Sequence, residues 1–507
     1  SARSKAAVLS PIMLWPEKVS APLMARRGEI DSFKPTPDGA RVVYLADQRF
    51  FEKPEVWSVP SEGGVPVRLS PDLDGDDVIT GFTIDPSSRW VLIHLSTSQW
   101  ISPVDASAPP AEVTLPAGQL SSAVEFTPDG RHFIARGVNG LARTTLFRVP
   151  TDGGPIVELL PPDLTSASPE SGGRSFDLTP DGERVVFAAK PVNHNDFAAN
   201  RIYSIPVTGG EPILLSTFPL SRVLSLTLSA DGSYVVFAGR PVGVGASAIY
   251  GSPTQVANTV ELWPPFANFF SFYPHFLDDD ASHLAILFRD DAWVLDIETG
   301  VARNLTESYS GQALEMQSVN GGEDLLVLRS TAQGGLDAFD IDGDGSTPQT
   351  SAFPAPTLYE YFVNGETLIM LVDPDSTDPA VRPLIFARPL AAPPGAGKIL
   401  SDPTQRAFPP IRVGDDFVSY VSAGRIAYAA DLNGGPRILL RPAADAIRDT
   451  LLDKGRYFYV ATEPDNELPE LHAIDIAAAV IVFRDGFESG DTARWSSTVG
   501  SSGSAVP

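Results

Sequence analysis

The run Asp340-Ile-Asp342-Gly-Asp344-Gly345 sets three carboxylates at alternate positions with a glycine directly after the third. Alternate side chains of a loop turn toward one centre, and hard oxygen donors placed this way suit calcium. The glycine permits the sharp bend that such a loop needs. The twelfth position of the loop falls on Ser351 instead of a bidentate glutamate, so a distant acid or water has to complete the shell. Asp340, Asp342 and Asp344 are the candidate ligands of a structural calcium ion. The competing reading is a lengthened turn, because the run stands where related segments have Thr-Asp-Gly-Gly. The acidic run Asp72-Leu-Asp-Gly-Asp-Asp77 has its glycine two places earlier and reads as a solvated loop.

Other chemistries are poorly supplied. The chain has 6 histidines and no cysteine. No thiolate metal site, thiol nucleophile, disulfide or Cys-x-x-Cys-His haem attachment can form. No His-Glu-x-x-His pair, Gly-x-Ser-x-Gly elbow or phosphate-binding glycine loop occurs. His94, His132 and His283 fall in apolar runs and read as packed side chains. His194, in the polar segment Asn193-His-Asn-Asp196, is the most accessible. The segment Leu262-Trp-Pro-Pro-Phe-Ala-Asn-Phe-Phe-Ser-Phe-Tyr-Pro274 concentrates aromatic residues. Phe269 and Phe270 are its candidate partner-binding residues if it is exposed; packed against a neighbour, the segment is core.

The elements that position these residues repeat along the chain. Phe33-Lys-Pro-Thr-Pro-Asp-Gly-Ala-Arg-Val-Val-Tyr44 returns as Val124–Ile134, Phe176–Phe187 and Leu226–Phe237. Asp-Gly between apolar runs makes a tight hairpin, and the β-branched and aromatic runs fit a pleated surface. A third strand with Val/Ile-Pro-x-x-Gly-Gly follows, as in Val56–Gly64, Leu146–Gly154 and Ile202–Gly210. A short fourth strand begins at or near Pro66, Pro155 and Pro212, where a missing donor suits an edge. Four strands repeating every 40–50 residues or so make the blade of a β-propeller.

Weaker copies extend the series. Its turns fall at 39, 88, 130, 182, 232, 282, 322, 365, 415 and 455, which makes ten units. Propellers commonly have roughly four to eight blades. One large ring, a ring of seven or eight with strands outside it, and two smaller rings all fit the count. One ring is favoured, because no linker interrupts the series. The expected fold is all-β, a propeller of about seven to ten four-stranded blades over residues 28–483. Residues 1–27 form an arm whose apolar run Ala7–Trp15 can pair into the last blade and close the ring. Residues 484–507 form a tail.

A net charge of -26 repels phosphate backbones and argues against a nucleic-acid partner. No run approaches the length of a membrane span; Ile474–Phe483 is short, carries Asp475 and reads as a buried strand. The lack of cysteine suits export into oxidising surroundings.

The Thr/Ser-Pro/Ala-Asp-Gly-x-x-Val-Val-Phe/Tyr and Val/Ile-Pro-x-x-Gly-Gly phrases resemble the TolB-like (PD40, WD40-like) propeller repeats, strongly over 28–240 and more weakly over 241–480. The propellers of prolyl-oligopeptidase relatives use similar phrases, but their hydrolase elbow has no counterpart here. Phe483-Arg-Asp-Gly-Phe-Glu-Ser-Gly-Asp-Thr-Ala-Arg-Trp495 resembles a C-terminal segment of exported proteins from Gram-negative bacteria. These resemblances imply a secreted, periplasmic or cell-surface bacterial propeller that binds or scaffolds a protein partner. An enzyme with a central-channel site, of lyase or hydrolase type, and a structural subunit of a surface assembly are the alternatives.

Overall fold

The computed structural model describes residues 12–13, 17–18 and 29–476, apart from connecting stretches of which 168–175, 193–198, 267–271, 341–349, 374–381, 390–396 and 463–468 are the longest. The described residues form ten sheets, taken here as blades 1 to 10. They span 30–68, 79–112, 118–158, 164–214, 220–266, 272–304, 312–352, 357–399, 407–441 and 446–475. Each blade is a meander of sequential antiparallel strands, and each of the ten turn positions read from the sequence lies between a first and a second strand.

Ten apolar cores join the blades in sequence. Val43 and Ile93 belong to the core between blades 1 and 2, Leu92 and Phe133 to the next, and Ile134 and Phe187 to the third. The series continues through blades 4 to 10. The tenth core returns to the start, packing Phe458, Val460 and Leu471 of blade 10 on Val42, Tyr44 and Val59 of blade 1. A cyclic set of ten cores is one closed ring, and it decides among the three arrangements that the repeat count allows.

Strand periodicity explains how one blade serves two cores. Successive residues of a strand point to opposite faces, so in Val42-Val43-Tyr44-Leu45 the even positions face blade 10 and the odd ones face blade 2. A second strand buried on both faces is therefore apolar throughout. All of Val42–Ala46 is buried, as is all of Val185–Ala189. Each such valine, leucine or phenylalanine contributes about 1.5–3 kcal/mol.

The arm completes the circle at its rim. Glu17–Lys18 pairs antiparallel with Ala473 and His472 and supplies the fourth strand of blade 10. Ile12–Met13 pairs in parallel with Ile438 and Leu439 as a fifth strand of blade 9. The arm thus serves the last two blades, where the sequence pointed to the last alone.

First strands lie innermost. Strand 357–364 meets 407–413, which meets 446–453, and 176–178 meets 220–228. Among the described residues their inner edges have no ladder partner, and side chains cap them. Glu360 Oε2 accepts from the Ile411 amide (2.8 Å), Glu125 Oε2 from the Leu178 amide (3.3 Å), and Arg412 Nε donates to the Thr450 carbonyl (2.8 Å). A bulge beside Glu360 bends its strand, an insertion that re-aims nearby side chains.

His94 sits inside blade 2 between Gln99, whose Oε1 is 2.5 Å from Nδ1, and Thr83, whose Oγ1 is 2.9 Å from Nε2. Burial holds its pKa below the ordinary value, and Lys34 adds to this against the Gln99 bond. A base whose folded pKa is depressed favours the neutral form, so the unfolded chain takes up its proton first as pH falls. The stability is present above the unfolded value of about 6.5 and is lost as pH drops toward the folded value. His94→Gln is therefore expected to reduce the fall in melting temperature between about pH 7 and pH 5. Equal falls in parent and variant contradict this assignment.

Candidate functional site

The hairpins between first and second strands share one construction. Thr36 Oγ1 donates to Asp38 Oδ1 (2.6 Å) and accepts from the Arg41 amide (3.0 Å), while Asp38 Oδ1 accepts from the Ala40 amide (3.0 Å). The same three bonds recur at Thr127 and Asp129, at Thr179 and Asp181, and at Ser229 and Asp231. In blade 2, Asp85 stands in the threonine's place and accepts the Arg89 and Trp90 amides itself. Burial alone would raise Asp129, but the Thr127 hydroxyl and the Arg131 amide outweigh it and hold its carboxyl below the usual range. These recurring hydroxyls and carboxylates are occupied in building turns.

The turns also lock to one another. Ser61, Thr151 and Thr254 donate to the carbonyls of Gly39, Gly130 and Gly232 at 2.8, 3.0 and 2.8 Å, tying the third-to-fourth-strand turn to the first hairpin. Between blades, the Asp38 amide donates to Ser88 Oγ (3.0 Å) and Arg89 to the Asp129 carbonyl (3.2 Å). Pro128 lies against Gly182 and Pro180 against Gly232. Proline, aspartate and glycine of the repeated phrase thus serve the neighbouring blade as well as their own.

On this turn face a cleft of 480 Å³ opens between blades 3 and 4, reaching Gln255 of blade 5. Its cationic lining is Arg148 and Arg184, with His132 beside them; its carboxylates are Asp129, Asp181 and Glu183. Arg184 Nε donates to Ser204 Oγ (2.7 Å), and burial lowers its pKa. Arg148 reaches the Val207 carbonyl at 3.5 Å, while its Nε is buried without a hydrogen-bond partner. That Nε is buried and closed to a guest, so the terminal N–H groups are the ones a guest in the cleft can use. His132 is held below its ordinary pKa by burial and then by Arg148. The sequence read His132 as packing; it stands in a strand, half-buried, but its ring lines the cleft. The signal available was its place directly after the Asp-Gly turn, beside the face.

A second cleft of 520 Å³ lies on the opposite face at blade 1, lined by Arg49, Phe50, Lys53, Glu55, Asp72 and Leu73. Glu55 is buried and accepts from Arg49 (2.6 Å) and Arg68 (3.1 Å), which both also bind Asp72, at 3.0 and 2.6 Å. Arg68 and Arg49 hold the Asp72 carboxyl below its usual range. This network pins the hairpin loop after the second strand to the chain entering blade 2. Of the acidic run read as a solvated loop, Asp72 is exposed but paired.

Asp340 ends the strand Gly335–Asp340, opposite Asp324 in register. Asp342 and Asp344 lie outside the described residues, as do Phe269, Phe270 and His194. Leu262 and Trp263, from the same aromatic segment, are buried in the core between blades 5 and 6, with Trp263 edge-on to Trp293 at 5.1 Å. His283 stands in a strand beside Ser282. The strand Pro469–Asp475 covers the start of the apolar run 474–483, whose residues from 477 on are not described. Among the described residues, no group of three or more histidine, aspartate or glutamate side chains could hold a metal ion. Nor is any helix long and apolar enough to cross a membrane.

No family model matches the chain, and no curated protein does. Solved structures with a similar chain path include a eukaryotic initiation factor at 12% identity, covering 75% of this chain and 90% of that one with a TM-score of 0.48. They also include an oligogalacturonate lyase from Vibrio parahaemolyticus at 14% identity, covering 58% and 84% with a TM-score of 0.33. A prolyl endopeptidase matches at 11% identity, covering 70% and 56% with a TM-score of 0.35. At such identities the likeness is confined to the chain path.

Proposed function

We propose that the protein is a recognition module of the bacterial envelope, secreted or periplasmic, that binds a protein partner on a rigid propeller of TolB-like (PD40) repeats. The observation that carries this reading is the cleft between blades 3 and 4. Its recurring hydroxyls and carboxylates are bonded into turns, and what it offers a guest is shape and the charge of Arg148 and Arg184. Loops held by a rigid scaffold suit binding. The test is purification of the tagged full chain from its native envelope fraction, followed by mass analysis. A stoichiometric protein partner, lost in Arg148→Ala at unchanged melting temperature, is expected. A partner-free chain in parent and variant overturns the reading.

Phe269 and Phe270 are proposed as further partner contacts. Substituting both by serine is expected to abolish co-purification without lowering the melting temperature; a large loss of stability assigns them to the core instead.

Asp340, Asp342 and Asp344 are proposed to hold a structural calcium ion. Calcium at about a hundredfold excess over its dissociation constant is then expected to stabilise the chain by about 2.7 kcal/mol relative to chelator. Asp342→Asn should remove the difference in melting temperature. A parent chain indifferent to calcium excludes the ion.

A further inference from the structure

The face opposite the turns carries a second feature. There the second strand of each blade ends and the third begins. Blade 3 exposes Leu141 at 83%, blade 4 Val192 at 42%, and blade 5 Val242 at 44% and Val244 at 43%. These residues occupy corresponding loops of three consecutive blades, so they form a row. Exposed valine and leucine in a row mark an interaction surface more than singly scattered residues do.

The row is held rigidly. The Val192 amide donates to the Asp163 carbonyl (2.8 Å) and the Val242 amide to the Pro219 carbonyl (3.1 Å), each extending the ladder between first and second strands by one pair. In blade 3, Arg143 donates to the Pro161 carbonyl (2.8 Å), which ties that loop to the chain entering blade 4. An apolar surface fixed in place loses little entropy on binding.

Charge gives the partner's chemistry. In a chain of net charge -26, this end of blades 4 and 5 is basic. Lys190-Pro191-Val192 and Arg240-Pro241-Val242 repeat a cation two places before the exposed valine, whereas blade 1 has Asp47 in the corresponding stretch. Arg201 begins the third strand of blade 4, and Arg222 lies exposed near the start of the first strand of blade 5. Of the nearby carboxylates, Glu158 is ion-paired with Arg143, Asp163 is exposed, and Asp196 follows Val192 by four places in the sequence; Lys190 and Arg222 each also hold an interaction within the chain. The turn face of the same blades sets Asp129, Asp152, Asp181, Glu183 and Asp231 against Arg131, Arg148 and Arg184. The two faces thus differ in sign.

We infer that the loop face of blades 3 to 5 docks an acidic protein segment bearing aliphatic side chains. Its apolar residues cover Leu141, Val192, Val242 and Val244, while its carboxylates meet Lys190, Arg201, Arg222 and Arg240. The inference rests on the recognition reading above and adds a second face with a partner class of its own.

The test uses the full chain and labelled peptides alternating Glu with Leu, Lys with Leu, and Glu with Ser, read by fluorescence anisotropy. Vesicles of phosphatidylglycerol in phosphatidylcholine are read by sedimentation. The Glu–Leu peptide is expected to bind best, and to weaken with salt. Lys190→Glu with Arg240→Glu is expected to weaken it about tenfold, as is Val192→Ser with Val242→Ser. Both variants should keep the parental melting temperature; Arg222→Glu serves if either does not. Arg131→Ala on the turn face should leave binding unchanged. Equal binding of the Lys–Leu peptide, indifference to these variants, or preference for vesicles overturns the inference. Peptide binding lost instead in Arg148→Ala moves the site to the turn face and leaves the recognition reading standing. Absence of binding by every peptide overturns this surface, while a partner recovered by native purification still upholds the recognition reading.

Discussion

Gly182→Ala is expected to cost about 1–4.5 kcal/mol net, because it meets two independent obstacles. The residue has φ +73°, in the left-handed region, and a Cβ built there lies 2.7 Å from Pro128 Cδ of the preceding blade. The left-handed backbone costs a non-glycine residue about 1–2 kcal/mol. Overpacking adds about 1–3 kcal/mol, because the proline ring belongs to a turn already fixed by the Thr127 and Asp129 bonds. Reduced freedom of the unfolded chain returns about 0.4–1 kcal/mol. Gly209→Ala isolates the backbone component. Its φ is +88°, and nothing lies within 4 Å of its Cβ, so only the backbone cost less the same return, about 0–1.5 kcal/mol, is expected. Chemical denaturation of the two variants measures the difference directly. Equal losses would show that the proline of one turn does not brace the glycine of the next.

Phe458→Ala is expected to cost about 3–5 kcal/mol, the loss typical of a phenylalanine removed from a packed core. Phe458 is 1% exposed and sits in the core where blade 10 meets blade 1, with its ring 6.4 Å from Phe33. Phe187, fully buried between blades 3 and 4, is the comparison. A closed ring makes the two losses similar, since each seam is an interior core. A Phe458→Ala loss near that of a surface change would mean that blade 10 ends in solvent.

Much of this fold was legible because the repeat states its own physics. Thr-Pro-Asp-Gly specifies a hairpin through bonds spanning two to five residues, so each copy can be read without its neighbours. Drifted copies such as Val319–Leu328 remained visible through apolar alternation around a turn, and all ten turns fall on hairpins. Closure was not legible in the same way. It depends on Phe33 meeting Phe458 and Glu17 pairing with Ala473, contacts between residues over 400 positions apart with no local signature.

The site was less legible than the fold. Arg148 and His132 belong to one blade and Arg184 to the next, and their cleft exists only once two blades stand side by side. Read singly, each is a polar residue in a strand. The exposed valines were hidden for the opposite reason: Val192 and Val242 lie just past apolar runs whose members are core. Asp342, Asp344, Phe269 and Phe270 lie outside the described residues, so their roles rest on spacing and composition.

The most direct test of the closed ten-blade ring uses the chain's lack of cysteine. Glu62 of blade 1 and Arg456 of blade 10 form an ion pair at 3.3 Å although 394 residues separate them. Glu62→Cys with Arg456→Cys, treated with a short bis-maleimide, creates a chain looped over those residues. Rapid cross-linking of the folded protein, seen as a large mobility shift on a denaturing gel and abolished by prior unfolding, is the predicted result. A folded protein that keeps both cysteines uncross-linked would separate blade 10 from blade 1 and contradict the closed ring.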